Sequence, residues 1–325
     1  MVCGGPAREM DNGSEAVMWE SYDVVVIGGG AAGLSAAMVL GRARRRVAVV
    51  DAGAPRNAPA AHMRGFLSRD GMPPNDLLTA GRTEVASYGV DVTQGRVLGV
   101  DAGFSVRLAD GNVLPCRSIL LATGVEDVLP DIPGISERWG RDLLHCPYCH
   151  GWEVRDQPIA VLGTQAASVA HALLVRQWSE DIVFFAHTSD VDPEQRGLLD
   201  ARGIRILDGE VIGLVIDDDR LQGVELRDGR IIPRSAVFIR PRNVPHADGL
   251  LAGLGCALDD EGFPKVDASG RTTTAGVWAA GNVVDPMAVV VNAASAGVKA
   301  AAMVNMDLIE EDLAAQLERR SVSSV

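Results

Sequence analysis

The stretch Asp23-Val24-Val25-Val26-Ile27-Gly28-Gly29-Gly30-Ala31-Ala32-Gly33, running on through Leu34–Leu40 to Val47-Ala48-Val49-Val50-Asp51, decides the fold. The continuous β-branched run before Gly28 predicts a short buried strand. The Ala-rich segment from Leu34 predicts a helix, with Arg42, Arg44, Arg45 and Arg46 near its C-terminal end, where cations complement the dipole. Val47–Val50 predicts a second strand, ended by Asp51. Alone, the glycines would be a turn with no ligand. Between strand and helix each serves a separate purpose. Gly28 permits the tight turn, Gly30 lets the backbone reach a pyrophosphate, and Gly33 lets helix and strand pack closely. Asp51, 18 residues after Gly33, stands where a carboxylate binds ribose hydroxyls. The stretch therefore predicts a dinucleotide-binding βαβ unit with Gly28, Gly29, Gly30, Ala31, Ala32, Gly33 and Asp51 on the cofactor.

A second copy lies 135 residues downstream, where Leu162-Gly163-Thr164-Gln165-Ala166-Ala167-Ser168 aligns with the first turn. Its nucleotide chemistry is eroded. Gln165 replaces the glycine that permits close approach to a pyrophosphate. The position equivalent to Asp51 is Ala186, followed by His187-Thr188-Ser189-Asp190, with no carboxylate for an NAD ribose and no arginine pair for a 2′-phosphate.

Between the two turns stands His145-Cys146-Pro147-Tyr148-Cys149-His150-Gly151. Two cysteines separated by two residues can close a small disulfide ring, and the motif can depress a thiol pKa. A rival reading makes Cys146 and Cys149 half of a zinc site completed by Cys116, Cys256 or a histidine, although no second close pair exists. Cys116 and Cys256 lie in apolar stretches, as buried thiols do. His150, beside the pair, has an ordinary pKa of about 6.5 and suits a base at neutral pH. The favoured reading passes two electrons between this pair and a flavin on the first fingerprint.

The composition fits. In 325 residues, 47% are hydrophobic but only 4% aromatic, which suits close-packed parallel α/β layers and allows two domains. The net charge of −13 argues against nucleic acid or an anionic membrane as partner. Five cysteines are too few for a disulfide scaffold, and no apolar leader or run of 18 apolar residues is present, so the expected location is cytoplasmic. Residues 1–21, containing Cys3, read as a disordered tail. Elsewhere the pattern predicts a loop from 52 with a helix near Asp76–Tyr88, a strand into Ala122-Thr123-Gly124, and a return linker at Pro241–Pro245. Gly276-Val277-Trp278-Ala279-Ala280-Gly281-Asn282 predicts a strand and turn, followed by a helix over Asn292–Leu308 and a frayed end at 315–325. Thr123, Gly124, Gly281 and Asn282 join the expected cofactor contacts.

In this order the features resemble the low-molecular-weight thioredoxin reductases over roughly residues 22–310. The resemblance implies FAD, a homodimer and an α/β fold of two Rossmann-like dinucleotide-binding domains, three-layered, the second inserted into the first. The expected boundaries are 22–127 plus 245–325 for the FAD domain and 128–244 for the insert. It also implies that Cys149 is flavin-proximal and Cys146 the interchange thiol. This chain departs from the reductases in its second glycine motif, in lacking their His-Arg-Arg cluster, in His150 where bacterial reductases have Asp, in Asn282 for Asp, and in Val290-Val291-Asn292 for Arg-Gln-Ala. Cys146 to Glu153 is instead similar to the dithiol oxidase branch that closes gliotoxin- and holomycin-type disulfides, using FAD and oxygen without NADPH. The expected partners are thus a small-molecule dithiol and O2, with Cys146, Cys149 and His150 as catalytic residues. The alternatives are an NAD(P)H- or ferredoxin-dependent thioredoxin-disulfide reductase and a non-turnover flavin sensor.

Overall fold

The structure, a computed structural model, describes residues 21–246 and 249–322. The tail reading, with Cys3, lies outside the described residues but for Ser21. The first fingerprint folds as its spacing predicts: strand Tyr22–Ile27, helix Ala31–Arg42, strand Val47–Asp51. Tyr22–Ile27 is the centre of a seven-stranded sheet. It pairs in parallel with Val47–Asp51 on one side and Val113–Leu121 on the other. Asp91–Gln94 and Val277–Ala279 add further parallel pairings, and Val97–Asp101 and Ser105–Leu108 extend the sheet antiparallel.

The β-branched run Val24–Val26 is wholly buried because both faces of this strand are covered. On one face lie helices Ala31–Arg42 and Val290–Val322, which cross so closely that a Cβ on Gly297 would stand 2.0 Å from the Ala32 carbonyl oxygen. On the other lies a second apolar cluster that includes Cys116 and Cys256. Both are free thiols, and burial pushes Cys116 up to about 12.

A second sheet repeats the plan. Its order is Arg205–Leu207, Ile182–Phe185, Ile159–Leu162, Ala236–Ile239, Leu143–Leu144, all parallel. Helices Ser168–Val175 and Pro193–Ala201 cover one face. The antiparallel strands Val211–Asp217, Arg220–Leu226 and Ile231–Pro233 cover the other. Two Rossmann-like units of three layers result.

Two expectations change. Pro241–Pro245 is not a bare linker: Arg242–Val244 pairs antiparallel with Glu126–Val128, so the two crossings between the sheets form one ribbon. The last helix does not fray at 315 but runs to Val322. Its polar end, Ala314 to Arg320, consists of strong helix formers with Arg319 and Arg320 in the last turn. Polarity there marks an exposed helix rather than coil.

Candidate active site

A cavity of about 520 Å³ lies between the two units, walled by the first glycine turn, the loop at 54–64, residues 122–125 and the segment Leu143–His150. The turn fits a dinucleotide. Gly28 has φ of 108°, and a Cβ on it would stand 2.2 Å from the Ala122 carbonyl oxygen. A Cβ on Gly33 would meet the Gly28 carbonyl oxygen at 1.9 Å, whereas one on Gly30 would meet nothing within 4 Å. Gly28 and Gly33 are thus consumed by packing. Gly30, the N-cap of the helix, faces open space where a pyrophosphate can approach the helix terminus.

Gly28, Gly29, Gly30, Ala31, Ala32, Asp51, Thr123, Gly124 and Asn282 all line the cavity. Asp51 accepts a 2.8 Å ion pair from Arg82 and a 3.2 Å bond from the Gly53 amide, which orient its carboxylate for hydroxyl donors. Gly33 and Gly281 do not line it. Gly281 instead packs the turn onto the first helix, a Cβ there standing 2.7 Å from the Ala32 Cβ. These two residues shape the cradle without facing a ligand.

Cys146 and Cys149 reach the same cavity as a disulfide, their Cα atoms 5.2 Å apart. Cys146 caps the short helix Pro147–His150, with its Sγ accepting the Cys149 amide at 3.2 Å. The zinc alternative finds no set: Cys116 and Cys256 pack on the first sheet, and among the described residues no cluster of three or more His, Cys, Asp or Glu is arranged for a metal.

His150 is half-buried on the cavity wall. Burial lowers its pKa below the ordinary value, with Glu153 opposing and Arg64 reinforcing the shift. At neutral pH it is an uncharged imidazole able to accept a proton. Of the molecule's six histidines, five line this cavity: His62, His145, His150, His171 and His246. A site so furnished can exchange protons as well as electrons.

The second turn is closed on itself. The amides of Thr164 and Gln165, which would face a pyrophosphate, both point at the buried Ser168 hydroxyl, at 3.2 and 3.3 Å. The Gln165 side chain donates to the Arg240 carbonyl at 2.7 Å, filling the cradle. His187, one step past the Asp51 equivalent, accepts the Val211 amide through Nδ1 at 3.0 Å. An NAD(P) dinucleotide does not fit these groups.

Sequence reasoning placed a loop after Asp51 but gave its stretch 54–64 no part in the site. Arg56 holds Asp127 through two bonds of 2.7 and 2.8 Å and donates to the Pro286 carbonyl at 2.7 Å. Arg64 reaches Glu153 at 3.0 Å, so the loop clasps the segment that follows the cysteines. The signal available was length: a long stretch with prolines and no periodicity between two elements marks a functional loop. His171 and Arg240 gave no signal, since their parts of the cavity assemble only on folding.

The sequence profile described as pyridine nucleotide-disulphide oxidoreductase matches residues 22–297. A curated relative, "Thioredoxin reductase sirT" of Leptosphaeria maculans, is 34% identical over 91% of this chain and 97% of its own. Among solved structures, "Crystal structure of HlmI" superposes with a TM-score of 0.91 at 52% identity, covering 94% of this chain and 98% of that one. An oxidoreductase from Agrobacterium tumefaciens gives 0.84 at 34% identity, covering 89% and 99%.

Proposed function

The chain belongs to the pyridine nucleotide-disulphide oxidoreductase family and is a thioredoxin reductase-like flavoprotein that binds FAD, and on that premise we propose that it is a dithiol oxidase. In this reading it closes a disulfide in a small-molecule dithiol, with O2 as acceptor and hydrogen peroxide as product. The observation that carries it is the contrast between the cradles: the first is open and shares its cavity with the disulfide, and the second is filled by Gln165 and Ser168. Electrons then enter through sulfur.

A substrate thiolate attacks the Cys146 Sγ, and Cys149 leaves as a thiolate. The second substrate thiol, its proton taken by His150, displaces Cys146 and departs as a disulfide. The cysteines are left as a dithiol holding the two electrons. FAD, which Gly28 to Ala32 and Asp51 would hold, would supply the two-electron chemistry between this dithiol and O2, so that one dithiol and one O2 become one disulfide and one H2O2. Cys149 is assigned the flavin side by its family resemblance, and His150 is uncharged when it must accept the thiol proton.

The second reading, a thioredoxin reductase, draws on the name of the sirT relative and on the exposure of Tyr148 and Trp152, 72% and 66%, around the cysteines. A protein partner would use such aromatics. Anaerobic mixing with NADPH, then with dithiothreitol, separates the two while the flavin absorbance is followed. The oxidase leaves flavin oxidised with NADPH and bleaches it with dithiothreitol; rapid bleaching by NADPH overturns the reading. Cys149→Ser should abolish the dithiol-driven reduction.

The working assembly in this proposal is a homodimer. Exposed Val298, Met306, Ile309, Leu313 and Leu317 on the last helix are candidates for burial between copies. Light scattering should give twice 34.3 kDa; a single mass would refute it.

A further inference from the structure

His171 belongs to helix Ser168–Val175 of the second unit and is 5% exposed. Its Nε2 lies 2.9 Å from the backbone carbonyl oxygen of His145, the residue before Cys146. A carbonyl only accepts, so Nε2 carries the proton and donates. The other nitrogen, Nδ1, is buried with no partner among the described residues. Phe238 stands edge-on at 6.0 Å, within a cluster containing Val169, Ala172 and Val175.

A hydrocarbon side chain would suit these surroundings better. Burying an unpartnered acceptor costs about 1–3 kcal/mol, a term that leucine or phenylalanine would not carry. What the imidazole supplies in return is the bond to His145. We infer that His171 is a positioning residue for Cys146, fastening the peptide that precedes the interchange cysteine to the helix behind the eroded cradle. The inference rests on the role of Cys146 in the proposed function.

The need arises when the disulfide opens. While it is closed, the bond to Cys149 and the Cys149 amide both locate the Cys146 Sγ. Once the substrate forms a mixed disulfide with Cys146, the bond to Cys149 is gone. The Cys146 sulfur must still be held for in-line displacement by the second substrate thiol. Displacement at sulfur is sensitive to alignment, and small misplacements of a reacting atom lower rates by up to about a hundredfold. The His171 bond acts through the backbone, one residue from the reacting sulfur.

The test uses the FAD-loaded enzyme with H171L, which removes the donor, and H171Q, whose amide Nε2 spans the same number of bonds and keeps it. Anaerobic flavin reduction by dithiothreitol should slow about tenfold or more in H171L and stay within about threefold of the parent in H171Q. Both should retain bound FAD and a cooperative unfolding transition. H171N, too short to reach, replaces the leucine variant if that protein does not fold. Parent rates in the donor-free variant, or equal losses in both, would overturn the inference. If dithiothreitol fails to reduce even the parent's flavin, the oxidase reading falls. The rate of Cys146 alkylation by iodoacetamide after reduction then still decides: it should change in H171L and be restored in H171Q, and equal rates in all three proteins overturn the positioning role.

Discussion

Burial holds His145, His150 and His171 below the ordinary imidazole range, and His171 carries the largest consequence for stability. Burial is the main cause, with electrostatic opposition from a protonated His145 and from Arg240, and lowers its pKa from 6.5 to about 4. A group whose folded pKa is depressed resists protonation in the native state. Between pH 6.5 and about 4 the unfolded chain therefore binds the proton and the folded one does not. Stability rises with pH across this window and is lost as pH falls through it, by about 3 kcal/mol for this residue. Urea unfolding across the window should show a shallower acid loss for His171→Gln than for the parent, since the amide does not titrate. Identical pH profiles would show that folding does not depress the imidazole's pKa. His145 and His150 are shifted in the same direction, with burial the largest cause for each. His150, the residue expected to take up a proton, is thus held in its neutral, proton-accepting form by the fold.

At the level of elements, the ribbon Glu126–Val128 with Arg242–Val244 joins the two units, and one carboxylate ties it to the flavin loop. Asp127, its side chain only 9% exposed, accepts two bonds from Arg56 and one of 2.6 Å from Asn243. Removing one partner of such a pair strands a buried charge, which costs about 3–5 kcal/mol. Arg56→Ala should lower stability by that order in chemical denaturation and release FAD during gel filtration, because the loop at 54–64 walls the cradle. An unchanged midpoint and full flavin retention would make the pair ornamental. This tie was not legible in the sequence. The strand-glycine-helix grammar of residues 23–51, the eroded copy at 163–168 and the cysteine pair were, because each is written in consecutive residues with a fixed period. Arg56 and Asp127 are 71 positions apart, and neither carries a local pattern. The same limit explains Gly281, an expected cofactor contact that instead serves packing on Ala32. It also explains the last helix, where polarity was read as fraying although the residues favour helix.

On the scale of the whole molecule, the arrangement bears on how the chain moves during turnover. A flavin that must meet a pyridine nucleotide on one unit and a disulfide on the same unit cannot face both at once, so such a chain has to swing that unit between half-reactions. In the proposed cycle one of these partners is absent: Gln165 and Ser168 fill the second cradle, while Cys146 and Cys149 already line the cavity of the first. The Arg64–Glu153 ion pair at 3.0 Å and the close seating of Gly140 on Pro59, where a Cβ would stand 2.8 Å from the proline, clasp the units in this pose. With no second donor to visit, nothing in the proposed cycle requires the clasp to open. Domain swings drag solvent and slow in proportion to its viscosity, whereas thiol exchange inside a closed cavity does not. The reduction of bound flavin by dithiothreitol, measured anaerobically at saturating dithiol, should therefore keep its rate when sucrose raises the viscosity about threefold. A rate falling in inverse proportion would place a swing of the inserted unit in the cycle, and the disulfide would then have to leave the cavity to meet its substrate.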